Sequence, residues 1–290
     1  MMTEDLRPRR SVLYMPAANA RALEKARDLP ADALIFDLED AVAPDAKALA
    51  REQAADAVRS GSYGNKELTI RCNGLDTPWG AEDLAVAAAA GPSAVVIPKV
   101  SGPGALAEVA KRLEAAGAPD HTRIWAMVET PEALFNVRQI AGFERVAMLV
   151  MGTNDLAKEL RAQQVPGRAP LLAHLSVALL AAREAGKAIV DGVFNDVRDA
   201  QGFAAEARQG FEMGFDGKTL IHPSQVEPTN HLWAPGDDAI DYARRVIEAF
   251  EEAVAEGRGV ATVDGRMIEN LHVDNARRTL AVAEAIASLR

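Results

Sequence analysis

The chain has 290 residues, 49% of them hydrophobic and 26% charged, which suits one α/β barrel with a C-terminal addition. A net charge of −10 argues against a nucleic-acid partner, because a phosphate backbone requires a basic face. The single cysteine, Cys72, excludes a disulfide framework and a thiolate metal site, and no apolar run reaches the length of a membrane span. The opening MMTEDLRPRRS lacks the apolar core of a secretory signal, so a cytoplasmic protein is expected.

Apolar runs of β character begin near residues 11, 33, 67, 94, 123, 146, 188 and 217. Their spacing is close to the roughly 30 residues of a βαβ unit. The first run is followed by MPAANARALEKA, which carries none of the glycines of a doubly wound phosphate loop. The second, ALIFDLED (33–40), leads to a helix that Asp45 opens and that runs to about Ser60, with Gly61 as its stop. After ELTIRCNG (67–74), Thr77-Pro78 reads as an N-cap followed by proline at the first helical position. Thr130-Pro131 repeats that signal after RIWAMVET (123–130), and VAMLVMGTND spans 146–155. Runs this continuously apolar belong to a parallel sheet covered on both faces. Eight alternations predict an α/β fold, a (β/α)8 TIM barrel over residues 1–227.

Residues 228–290 then form a C-terminal helical extension. It comprises the amphipathic DDAIDYARRVIEAFEEAVAEG, a Gly-rich stretch at 257–270 and a last helix ending at Arg290. A barrel closes without these residues. Their apolar stripe is expected to be buried on the barrel or on a neighbouring subunit, which points to a homo-oligomer.

Charged residues that end apolar runs belong at the C-terminal rim of a barrel, where the site is built. Asp37, Arg71, Glu129 and Asp155 all stand at such positions. Glu129 and Asp155 suit Mg²⁺, which takes one or two protein carboxylates; each also reads as a helix cap. Asp37, Glu39 and Asp40 crowd one strand end, either as groups that orient metal-bound waters or as a cap for the next helix. Arg71 is placed to clamp a carboxylate or neutralise an oxyanion, with a salt bridge to the acids as the plainer alternative. Gly152, Thr153 and Asn154 are placed to offer backbone N–H groups to a substrate carboxylate. Arg21 and Lys25 share one helix face and could meet phosphates at the barrel mouth. Lys99 invites a Schiff-base reading, which the surplus of carboxylates opposes. His222 is a candidate for acid/base work or a packed histidine.

With RRSVLYMPA, ADALIFDLEDAVAPDAK, IRCNG, VVIPKV, AMVETPEA, MGTNDLA and GFDGKTLIHPSQ, the chain resembles the citrate lyase β-subunit and malyl-CoA lyase family, the HpcH/HpaI aldolase-like group. The resemblance runs from about Arg9 to the final helix. It implies Mg²⁺, with Mn²⁺ as a substitute, on Glu129 and Asp155, and substrate contact by Arg71. It also implies a coenzyme A thioester substrate with Arg21 and Lys25 near the nucleotide, and a trimer or hexamer. In such an assembly a C-terminal acid reaches a neighbour's site. Here the pattern reads DGRMIEN, with Glu269 where the lyases usually carry aspartate. The expected enzyme is therefore a Mg²⁺-dependent lyase that cleaves a malyl-CoA-type ester to acetyl-CoA and an α-oxo acid such as glyoxylate. Glu269 and MGTNDLAKEL favour an alternative, a malyl-CoA thioesterase that forms malate and CoA. A non-catalytic subunit of a larger lyase complex is a third.

Overall fold

A computed structural model describes residues 7–289. The first six residues of the N-terminal segment and Arg290 lie outside the described residues. Eight strands, β1 (Ser11–Pro16), β2 (Ala33–Asp37), β3 (Glu67–Arg71), β4 (Ala94–Ile97), β5 (Arg123–Val128), β6 (Val146–Met151), β7 (Ala188–Asp191) and β8 (Gly217–Leu220), close in sequential order into a barrel. All barrel pairings are parallel, as crossover connections through the intervening helices permit. The seam is Ser11↔Lys218, Val12↔Thr219 and Leu13↔Leu220. Gly217 makes that seam possible: a Cβ there would lie 1.9 Å from the Arg9 carbonyl oxygen.

The barrel interior is filled by alternate residues of successive strands: Val12, Ala33 and Ile35, Ala94 and Val96, Trp125 and Met127, Met148 and Val150, and Val190. Two residues beyond Ile35 and Met127, the same parity brings Asp37 and Glu129 to the inward face of the C-terminal rim. Arg71 stands opposite Asp37 in the β2–β3 register. The strands end in charge where the apolar filling ends.

Helix starts follow their local chemistry. Thr130 caps the helix Pro131–Phe135 by accepting the Ala133 N–H at 3.1 Å. Thr77 does not start a helix. It closes a turn onto the Gly74 carbonyl, and the helix begins later, at Gly80. Asp45 sits in a 3₁₀ turn, Pro44–Ala46, that feeds the helix Lys47–Arg59, and Gly61 lies beyond the helix at φ +64°.

The chain divides into a barrel unit, Arg9–Asn230, and a second unit formed mainly from His231 onward. In the second unit the helix Asp237–Ala255 lays Ala243, Val246, Phe250 and Ala253 against a hairpin and the helix Asn270–Ser288. The hairpin strands are β9 (Ala261–Val263) and β10 (Arg266–Ile268). Asp264 and Gly265 both take positive φ, the two-residue turn that matches strand twist. The amphipathic stripe expected on the barrel or on another subunit thus has a core inside its own unit, because the hairpin in the Gly-rich stretch supplies a facing surface.

Candidate active site

A pocket of about 290 Å³ opens at the C-terminal rim of the barrel, and Tyr14, Asp37, Asp40, Arg71, Glu129 and Asp155 line it together. Gly152, Thr153, Asn154 and Asn195 contribute from the ends of β6 and β7. The structure therefore gathers most of the sequence-predicted site residues around one cavity.

Asp37 and Arg71 form its rigid wall. The Arg71 Nε and Nη2 donate to the two Asp37 oxygens at 2.7 Å each, a bidentate pair that is almost fully buried. The same carboxylate accepts the Glu39 and Ala41 N–H groups at 2.9 and 3.1 Å. Four donors thus converge on Asp37. In this structure it caps its own turn and aims Arg71. Arg71 Nη1 lies 2.6 Å from Glu39 and 3.5 Å from Asp40. Burial opposes the Arg71 charge, but Asp37 and its neighbours hold its pKa well above the ordinary value. A guanidinium has five N–H donors, and with Nε and one Nη2 hydrogen on Asp37 and Nη1 facing Glu39 and Asp40, the second Nη2 hydrogen is still available to a substrate.

Glu129 is buried at the end of β5. One oxygen accepts the Lys99 N–H at 2.7 Å; the other makes no hydrogen bond among the described residues. Lys99 takes φ +48°, a left-handed conformation uncommon for a residue with a side chain, and the turn directs its N–H onto that carboxylate. Burial, with Glu39 and Asp155 adding repulsion against the Lys99 bond, pushes the Glu129 pKa up to about 7. Glu39 is also pushed up to about 7 by burial, with Arg71 opposing and Asp40 and Asp37 reinforcing. Burial would lower the Lys99 pKa, yet the surrounding acids hold it above its ordinary value. A raised pKa leaves less of the free amine that a Schiff-base nucleophile needs.

Gly152 lets β6 pass close beside Glu129: a Cβ there would lie 2.3 Å from Glu129 Oε2. Asp155 follows in the first turn of the helix Thr153–Glu159. Among the described residues no group of three or more His, Cys, Asp or Glu side chains gathers as a metal site. The pair Glu129 and Asp155 is nonetheless the number of protein ligands Mg²⁺ takes. The uncommitted Glu129 oxygen and the excess of carboxylates over cations around the pocket fit a divalent ion.

Sequence reasoning passed over three supporting groups. Lys47 Nζ donates to the Leu38 and Glu39 carbonyls, both at 2.7 Å, and to Asn73 Oδ1 at 2.8 Å, which pins the acidic loop to the end of β3. Lys218, fully buried in β8, donates to Asp191 at 3.0 Å, Gly192 O at 2.6 Å and Glu206 at 2.8 Å. Arg168 meets the same Asp191 with bonds of 2.7 and 2.9 Å. Burial raises the Asp191 pKa, but these two cations bring it below its ordinary value. Tyr14 is the third, with its ring 4.9 Å from the Arg71 guanidinium carbon.

Other predicted residues stand outside this cluster. Arg21 and Lys25 are exposed on the helix Ala20–Ala26 that follows β1. His222 is exposed, and its Nδ1 accepts the Ser224 N–H at 3.2 Å as a turn cap. Glu269 belongs to the second unit, at the start of the helix Asn270–Ser288, where its N–H donates to His272 Nδ1 at 3.0 Å. No helix among the described residues is long and apolar enough to cross a membrane.

A closed parallel barrel that carries an anchored arginine and paired carboxylates in a rim pocket defines a (β/α)8 enzyme with an acidic active-site mouth. Its residues 10–223 match the HpcH/HpaI aldolase/citrate lyase family, and the chain belongs to it. A (3S)-malyl-CoA thioesterase of Cereibacter sphaeroides is 50% identical over 289 residues, 100% of this chain and 99% of that one. The citrate lyase subunit beta of Escherichia coli is 37% identical over 284 residues, 96% of this chain and 94% of its own. Among solved structures, CitE from Mycobacterium tuberculosis in complex with magnesium, acetoacetate and coenzyme A aligns with a TM-score of 0.78 at 27% identity. That alignment covers 98% of this chain and 100% of that one.

Proposed function

We propose that this protein is a Mg²⁺-dependent thioesterase that hydrolyses a malyl-CoA-type ester to malate and free CoA. The full-length 50% likeness to (3S)-malyl-CoA thioesterases carries this reading, and the rim pocket gives it a site. Glu129 and Asp155 would hold Mg²⁺, or Mn²⁺ in its place, and the ion's chemistry there is Lewis-acid polarisation of the acyl group's oxygens. Arg71, aimed by Asp37, turns its remaining Nη2 N–H donor on the oxygen that gathers charge. Glu39 and Asp40 steady the far side of that guanidinium. Lys99 holds Glu129 through its backbone and offsets the local negative charge. Gly152, Thr153 and Asn154 shape the wall facing the acyl group, and Arg21 and Lys25, exposed after β1, would meet the nucleotide phosphates.

The general base for water is Glu269, reached from a second copy in a trimer or hexamer. That role follows from the family resemblance and the glutamate in DGRMIEN. A carboxylate one methylene longer than aspartate shifts the base by about 1 Å, enough to change which atom it serves.

The carbon–carbon lyase is the second reading, favoured by the 37% likeness to citrate lyase subunit beta. Incubation with (3S)-malyl-CoA and Mg²⁺ separates the two. Malate and free CoA are expected; glyoxylate and acetyl-CoA as the main products would overturn hydrolysis in favour of cleavage.

A further inference from the structure

We propose that the Tyr14 hydroxyl is a second hydrogen-bond donor to the substrate's thioester carbonyl oxygen, working beside Arg71; this rests on the CoA-thioester reading above. Tyr14 stands on β1 with its ring packed against the barrel's interior cluster and over the Arg71 guanidinium. It lines the rim pocket together with Arg71 and Glu129. Among the described residues its hydroxyl makes no hydrogen bond, whereas Asp37, Arg71 and Glu129 around it are each held by at least one. A tyrosine O–H in such surroundings normally finds a partner. Here the partner is whatever enters the pocket.

The chemistry of the site selects what that partner is. Burial, reinforced by Asp37, Glu129 and Glu39 against the opposing Arg71, keeps the phenol protonated far above neutral pH. Tyr14 is thus a donor and not a base. Carboxylate and hydroxyl oxygens of a malyl group are the natural partners of a hard cation. The thioester carbonyl is the acceptor left for the arginine side of the pocket.

During hydrolysis the water oxygen bonds to the carbonyl carbon, loses its proton to the base, and drives the C=O electron pair onto oxygen. When that pair returns, the C–S bond breaks and the thiolate takes up the proton, so ester and water become acid and thiol. The carbonyl oxygen is charged only between those steps, so donors fixed beside it favour the transition state over the bound substrate.

Tyr14→Phe removes only the oxygen and leaves the ring stacked on Arg71. It should lower kcat for (3S)-malyl-CoA by about 100-fold, with KM and Mg²⁺ affinity held within about two-fold. A second measurement covers a variant that folds poorly. 3-Fluorotyrosine at position 14 should shift its ¹⁹F resonance when a malyl-CoA ketone analogue, with CH₂ in place of sulfur, is bound. The thioether that lacks the carbonyl oxygen should leave that resonance in place. Full kcat in Tyr14→Phe, or equal ¹⁹F responses to the two analogues, overturns the assignment of Tyr14 while wild-type turnover stands. Absence of wild-type turnover overturns the thioesterase reading and takes the Tyr14 role with it.

Discussion

If Glu129 holds Mg²⁺ as proposed, binding should weaken about tenfold for each pH unit below 7, because the carboxyl would have to release a proton before taking the ion. Burial brings that carboxyl to about 7 from an ordinary 4.5. At pH 6 only about one site in ten is ionised, equivalent to roughly 1.4 kcal/mol of lost affinity. Above pH 7 the affinity should level off. Calorimetric titration with Mg²⁺, repeated in two buffers of different ionisation enthalpy, reads both the affinity and the proton released. Metal-free stability has the opposite slope. The folded carboxyl keeps its proton up to about pH 7, whereas in the unfolded chain it releases it near 4.5. The folded form therefore binds more protons over that window, and the stability contributed below 4.5 is lost as pH rises to 7. Added Mg²⁺ should restore it at pH 8. Affinity that stays flat from pH 6 to 8, or a Glu129→Gln variant that binds Mg²⁺ as tightly as the wild type, would refute the reasoning.

Gly152→Ala should place a methyl 2.3 Å from Glu129 Oε2 and 2.4 Å from its Cβ. The carboxylate must then move, and the overpacking costs about 1–3 kcal/mol; Mg²⁺ titration beside a thermal melt should show lost metal affinity in a folded protein, and unchanged affinity would sink the idea. Lys218→Met leaves Asp191 buried with Arg168 as its remaining cation, so urea unfolding should show a loss of roughly 3–5 kcal/mol, and a loss below about 1 kcal/mol would mean that Arg168 alone suffices.

Much of the barrel was legible because each strand is a continuous apolar run, and all eight strands begin near the positions read from the chain. Asp37, Arg71 and Glu129 were visible for the same reason, as charge interrupts the run where packing gives way to the rim. What Asp37 does was not visible. Its pairing with Arg71 comes from the β2–β3 register, which exists only once the strands are aligned. Tyr14 escaped notice because an aromatic at an inward strand position reads as core filling, and Lys47 because a lysine at a helix start reads as solvated. The Asp264-Gly265 turn signal was present, but strands of three residues show no periodicity to support it. The self-contained core of the second unit was therefore missed as well.

The ion network under β7 and β8 restricts how this pocket can change over generations. Asp191, Lys218, Arg168 and Glu206 are interlocked, and Thr219, which lines the pocket, donates to the Asp191 carbonyl at 2.9 Å. Replacing Asp191 would leave buried Lys218 and Arg168 with Glu206 as their remaining counter-charge, so a new substrate preference along that side would require compensating replacements. Across the mouth, the exposed side-chain amides of Asn154 and Asn195 donate to each other's oxygens at 3.1 and 2.8 Å. Single replacements there carry little penalty, which leaves the loops after β6 and β7 as the ground on which ligand preference can diverge while the β2, β3 and β5 side of the pocket stays unchanged.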